Sequence, residues 1–118
     1  MINILLIGIG GFLGAIARYI TVNYIKRRSR IKLPIGTLTV NLLGSFLLGY
    51  LLGMDGKGSL FLFLGTGFMG AFTTFSTFKL EAIQLVDAKE KRSAFSYIIL
   101  TYAGGITLAF LGMILARM

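Results

Sequence analysis

Four long apolar stretches, separated by short runs that hold most of the charge, decide what this chain can become. They cover residues 4–24, 35–54, 59–86 and 95–116. Each is close to, or longer than, the roughly 20 residues that a bilayer's hydrocarbon core demands of a helix. Soluble domains carry about a quarter charged residues, whereas 14% of these 118 are charged and the mean hydropathy is +0.86. An ordinary water-soluble globule is thereby excluded, and the chain reads as a small all-α integral membrane protein. The connections, residues 26–33, 55–58 and 87–93, are short enough to make neighbouring helices antiparallel. The first stretch lacks a basic leading segment and a small-residue cleavage site, so it reads as a retained span. One four-helix transmembrane domain is expected over residues 1–118.

The chain contains neither Cys nor His. That removes disulfides, the usual zinc and haem sites, thiol nucleophiles and Ser–His pairs. The net charge of +8 does not point to nucleic acid, because the basic residues cluster at span ends, where they set topology. Lys26, Arg27, Arg28, Arg30, Lys32, Lys89, Lys91 and Arg92 fall on one side, against Lys57 and Arg117 on the other. The positive-inside rule puts the two basic loops in the cytoplasm and both termini outside.

The third stretch is anomalous. As one helix it would be about 42 Å long against a hydrocarbon core near 30 Å. Its middle reads Gly65-Thr66-Gly67-Phe68-Met69-Gly70-Ala71-Phe72-Thr73-Thr74-Phe75-Ser76-Thr77-Phe78, crowded with poor helix formers. A break is expected there. It would have to satisfy its freed backbone groups inside protein, on water or on an ion. The alternative is an intact, tilted helix whose hydroxyls bond back to their own carbonyls.

Arg18 sits deep in the first span, on one helical stripe with Gly10 and Gly14. It reads either as a fixed charge near an anion pathway or as an arginine tied to backbone carbonyls. Thr37, Asn41 and Ser45 form a polar stripe on the second span, and Tyr97, Thr101 and Gly105 repeat the spacing on the fourth. These are helix glue at about 1 kcal/mol, or two tracks of donors for a solute. Neither track carries a carboxylate, which favours an anion. Phe75 and Phe78 flank Ser76 and Thr77, and a phenyl ring is positive at its edge. Ring edges, hydroxyls and the Asn41 amide could together replace part of a small anion's hydration shell.

Three motifs then carry a resemblance over nearly the whole chain. They are Gly10-Gly11-x-x-Gly14-Ala15-x-x-Arg18-Tyr19, Gly36-Thr37-Leu38-x-Val40-Asn41-x-x-Gly44-Ser45-Phe46-x-x-Gly49, and Gly70-x-x-Thr73-Thr74-Phe75-Ser76-Thr77-Phe78 with Glu81. Together they resemble the CrcB/Fluc family of fluoride channels. The resemblance implies a dimer of oppositely oriented four-helix subunits, with fluoride passing through two pores at the interface. It implies that Asn41, Phe75, Ser76, Thr77 and Phe78 line the pore or touch the anion, and that Tyr97 and Thr101 lie on the polar track. It also implies a structural, untransported Na⁺ held by backbone carbonyls of Gly70 and Thr73. Glu81 matches a recurrent acidic position. Ala71 stands where the family commonly has Gly, and Gly105 where a hydroxyl residue sometimes occurs.

Passive export of cytoplasmic fluoride through the plasma membrane is therefore the expected function, with no enzymatic activity. The basic bias favours pairing with a homologous subunit of opposite orientation, since self-pairing needs a chain that inserts both ways. A four-helix cation or drug exporter would want an embedded carboxylate, and only Glu81 is available. A non-conducting scaffold does not need a hydroxyl-rich break.

Overall fold

Apolar helix formers dominate the long runs, and the chain folds accordingly. The computed structural model describes residues 2–28, 33–54 and 58–118, and among them no strand occurs. Arg30 and Lys32, and Asp55, Gly56 and Lys57 of the second connection, lie outside the described residues. Helix α1 (Ile2–Arg28), α2 (Ile35–Gly53) and α6 (Lys91–Arg117) are each long and apolar enough to cross a membrane.

Two of these helices outrun their apolar stretches. The last turn of α1 contains Lys26, Arg27 and Arg28, cations that the negative end of a helix dipole favours. The Arg28 guanidinium also stacks over the Tyr24 ring, 4.6 Å from its centroid. At the other end of the chain, α6 starts at Lys91, four residues before the apolar run.

The third stretch is composite. It runs as α3 (Gly58–Phe61), a π-helical segment (Leu62–Met69) and α4 (Gly70–Phe72), and resumes as α5 (Phe75–Asp87). Between them Thr73 (φ −86°, ψ 158°) and Thr74 (φ −148°, ψ 123°) are extended. The glycine-rich part of the run thus stays helical in the wide π form, and the two threonines take the chain out of helical geometry.

Small residues set how the helices pack. A Cβ on Gly14 would overlap the Phe68 carbonyl, and one on Gly10 the Phe63 carbonyl, so α1 lies with its backbone against the π-helical segment. Gly49 of α2 meets the Ala109 carbonyl of α6 in the same way, and Gly112 returns the contact at Phe46. Small-residue interfaces of this kind replace a hydrophobic driving force that lipid does not supply.

The turn from α5 to α6 is closed by Lys89 N–H to the Val86 carbonyl (3.0 Å) and Glu90 N–H to the Leu85 carbonyl (2.9 Å). Lys89 occupies the left-handed region there at φ 62°, a position usually held by Gly.

Two small clusters form the interior: Val40, Met69 and Phe72, and Phe78, Ala82 and Tyr97. The outer surface is apolar instead, with Ile4, Phe12, Tyr19, Phe95 and Phe110 all exposed. An outside this apolar suits lipid, not water.

Candidate functional site

Where Thr73 and Thr74 leave helical geometry, their backbone groups need partners from elsewhere. The α2 stripe supplies them. Asn41 Nδ2 donates to the Thr74 carbonyl (2.9 Å), and the Thr74 N–H donates to Asn41 Oδ1 (2.8 Å). One side-chain amide thus pairs with both polar groups of a single residue, as a neighbouring strand would. On the following side, the Thr77 N–H donates to Thr74 Oγ1 (3.2 Å), which caps the start of α5. Thr73 Oγ1 and the Thr73 N–H both donate to the Met69 carbonyl at 3.0 Å. Its methyl group presses on α2 at Gly44, where a Cβ would overlap it.

A groove of about 240 Å³ opens beside this junction. Asn41, Ser45, Thr73, Thr74 and Thr101 contribute polar atoms to it, and Phe75, Phe78 and Tyr102 its aromatic wall. Phe78 is buried and sits at the centre of a ring cluster. It lies 5.9 Å from Phe75, 5.1 Å from Tyr97 and 5.7 Å from Tyr102 between centroids, the last edge-on at 86°. Phe75, by contrast, is 63% exposed.

On the other side of Thr74 lies a second cavity of about 200 Å³, which brings together Arg18, Tyr19, Asn23, Thr37, Thr74 and Thr77. Thr74, buried, lines both cavities. The Gly10–Gly14–Arg18 stripe explains the placement. Its two glycines press α1 onto the π-helical segment, and the next turn delivers the half-buried Arg18 to the junction.

The structure therefore brings Asn41, Phe75 and Phe78, with Thr101, to one groove, and Arg18, Thr37 and Thr77 to the other side. Ser76 is exposed, with its hydroxyl 3.5 Å from that of Thr74. Tyr97 lies behind Phe78 in the interior, and its buried hydroxyl has no hydrogen-bond partner among the described residues. Thr37, also buried, donates its hydroxyl to Glu81 Oε1. Glu81 in turn lines a small recess with Pro34, Gln84 and Leu85.

Hydroxyl hydrogens are scarcer in the groove than the stripe pattern suggests. Ser45 Oγ donates to the Asn41 carbonyl (2.8 Å) and Thr101 Oγ1 to the Tyr97 carbonyl (2.7 Å), each one turn back. An amide nitrogen carries two hydrogens, so Asn41 keeps one for the groove after serving Thr74. Tyr102 escapes a reading of the sequence because it adjoins, but does not extend, the Tyr97–Thr101 spacing.

Among the described residues no cluster of three or more acidic groups could hold a metal. A hard cation would have to use backbone oxygen. The Thr74 N–H, which would continue the helical ladder to the Gly70 carbonyl, goes to Asn41 instead. Gly70 itself is exposed, and its carbonyl, off the helical ladder, is an oxygen of the type a hard cation accepts.

Comparison with known sequences gives a consistent picture. The model of the family described as "CrcB-like protein, Camphor Resistance (CrcB)" matches residues 5–113. The "Fluoride-specific ion channel FluC 2" of Bacillus thuringiensis is 50% identical over 113 residues, covering 96% of each chain. The "Fluoride-specific ion channel FluC 1" of Geobacillus kaustophilus is 49% identical over 113 residues, covering 96% of this chain and 97% of its own. That of Listeria monocytogenes is 45% identical over 115 residues, covering 98% of each.

Proposed function

This chain belongs to the CrcB-like protein family, and from that membership we propose that it is a fluoride-specific ion channel subunit, a multi-pass membrane protein and not an enzyme. The observation that carries the reading is the Asn41–Thr74 pairing at the head of an aromatic-walled groove. It fixes a non-helical turn beside aromatic rings and hydrogen-bond donors that an anion can meet.

The third crossing of the membrane is made by α3 through α4 together with α5, and the break at Thr73–Thr74 lies within it. A broken helix is tolerated at that depth where its backbone is satisfied by protein, which the Asn41 amide does. Asn41, Phe75, Ser76, Phe78 and Thr101 line the anion's path, with Tyr97 behind Phe78, while Thr77 faces the second cavity with Arg18. The ring edge of Phe78, the spare Asn41 N–H and the hydroxyl of Ser76 replace part of the fluoride hydration shell. Arg18 sets a positive potential on the opposite side of Thr74, with Thr37 and Glu81 forming a polar pair behind it.

Hydrofluoric acid is weak and crosses membranes in its neutral form. In acidic surroundings it enters and dissociates in the more alkaline cytoplasm. A passive pore lets the trapped anion leave, driven by its gradient and by an inside-negative potential.

Two oppositely oriented subunits form the conducting unit, this chain with both termini outside and its basic loops cytoplasmic. The charge bias favours a homologous partner of the opposite orientation over a second copy, and the relatives' names, numbered 1 and 2, accord with paired subunits. A structural Na⁺ fits the carbonyls of Gly70 and Thr73, where it would neutralise the helix end exposed at the break.

Fluoride efflux from proteoliposomes, read with a fluoride electrode, tests both parts of the proposal. Efflux from this chain only when a homologous subunit is present supports channel and partnership. Efflux from the single chain keeps the channel and removes the obligate partner. Absence of efflux from both preparations overturns the channel.

A further inference from the structure

Lys79 is the one cation that neither topology nor the grooves account for. It lies on α5, one turn beyond Phe75. Phe78, Ala82 and Leu85 turn inward from this helix, while Ser76, Lys79 and Ile83 share its exposed side. The nearest acid in sequence, Glu81, is engaged by Thr37 and projects from the opposite side. No ion pair joins Lys79 to an acid among the described residues.

Glu81, two residues on, meets Thr37 in the first turn of α2 and shares a recess with Pro34, so Lys79 lies just inside the basic-loop end of the helices. Cα–Cβ bonds lean toward a helix's N-terminus, so the Lys79 stem leans toward Ser76 and the Thr73–Thr74 junction. An ammonium at that depth is costly unless water or a counter-charge meets it, and the junction is where the fluoride-channel reading puts both. We propose that Lys79 supplies a fixed positive charge that concentrates the permeating anion at the entrance to the break. It would act together with the positive N-terminal end of the α5 dipole. The inference rests on the fluoride-channel reading and adds to it a residue that sets throughput.

The test uses the conducting preparation, chain alone or with a homologous subunit, reconstituted in neutral lipid. Fluoride flux is measured for the parent, Lys79→Met and Lys79→Arg at two ionic strengths. An unscreened charge several ångströms from the anion's route alters its local concentration by about threefold. The Debye length falls from about 10 Å at 0.1 M salt to about 3 Å at 1 M. Lys79→Met should therefore lower flux about threefold in dilute salt, the deficit should vanish near 1 M, and Lys79→Arg should match the parent throughout. Parent-like flux from Lys79→Met in dilute salt would overturn the inference. So would a loss that salt does not relieve, or one that Lys79→Arg shares, because packing explains either. A parent without fluoride flux would instead overturn the channel reading on which the inference rests.

Discussion

The side-chain amide of Asn41 holds both backbone groups of Thr74, donating to its carbonyl at 2.9 Å and accepting from its N–H at 2.8 Å. An asparagine on an unbroken helix thereby completes the hydrogen bonding of a broken one. In water an unpaired amide would simply be solvated. In a bilayer it has no such recourse, and the cost of leaving it bare rises accordingly. The rest of the site depends on this pairing, because the extended threonines set the direction in which Phe75 and Phe78 leave α5.

Asn41→Ala orphans two backbone groups at once. At about 1–3 kcal/mol for each unsatisfied buried group, the loss should be about 2–6 kcal/mol of stability, with fluoride flux abolished. Asn41→Asp keeps an acceptor for the Thr74 N–H but has no donor for its carbonyl. It also sets a negative charge against that carbonyl, so it should be destabilised at least as much as Asn41→Ala and conduct no better. Thermal unfolding in detergent, paired with electrode-monitored efflux, separates the two effects.

Phe75 and Phe78 should respond differently in stability and alike in flux. Phe78 is buried among Phe75, Tyr97 and Tyr102, and Phe78→Ile should cost about 1–3 kcal/mol. Phe75 is largely exposed, and Phe75→Ile should cost well under 1 kcal/mol, about the size of a surface change. Both should abolish fluoride flux while size-exclusion profiles stay unchanged. Wild-type-like flux from both would remove the ring-edge contribution.

Tyr97 carries a buried hydroxyl without a protein partner among the described residues. Removing an unsatisfied polar group is neutral or stabilising by about 1 kcal/mol, so Tyr97→Phe should unfold at the same or a higher temperature. Its flux measures how far the hydroxyl meets the anion. Near-parental flux is expected, since Phe78 stands between Tyr97 and the groove. A drop of tenfold or more would put that hydroxyl on the permeation path.

The α5–α6 turn offers a stabilising change remote from the site. Lys89 is held at φ 62°, which costs a side-chain-bearing residue about 1 kcal/mol that glycine avoids. Lys89→Gly should raise thermal stability in detergent and leave fluoride flux unaltered, whereas Lys89→Val should lower stability.

Much of the architecture is legible in the sequence because bilayer length and hydropathy are coarse, additive properties. The runs that become α1, α2 and α6 can be counted directly, and the Gly10–Gly14–Arg18 stripe does point one face of α1 at its neighbour. The point where helical geometry lapses is not legible. Poor helix formers fill residues 65–78, yet Gly65 and Gly67 stay within a π-helical segment, and the lapse falls on two threonines. What selects them is an amide 33 residues earlier in the chain. The Thr37–Glu81 bond, spanning 44 residues, is hidden for the same reason. The direction of the Ser45 and Thr101 hydroxyl hydrogens, back toward their own helices, follows from backbone geometry that no spacing rule encodes. Lys79 is overlooked when cations are counted by loop, because it belongs to none.

The most direct test of the fluoride-channel reading compares two halides in one preparation. Proteoliposomes containing the conducting assembly are loaded with equal fluoride and chloride, and the efflux of each is followed with its own electrode after a potassium ionophore is added. Rapid fluoride release with chloride retained is the predicted result. Release of both anions at similar rates, or of neither, would contradict it.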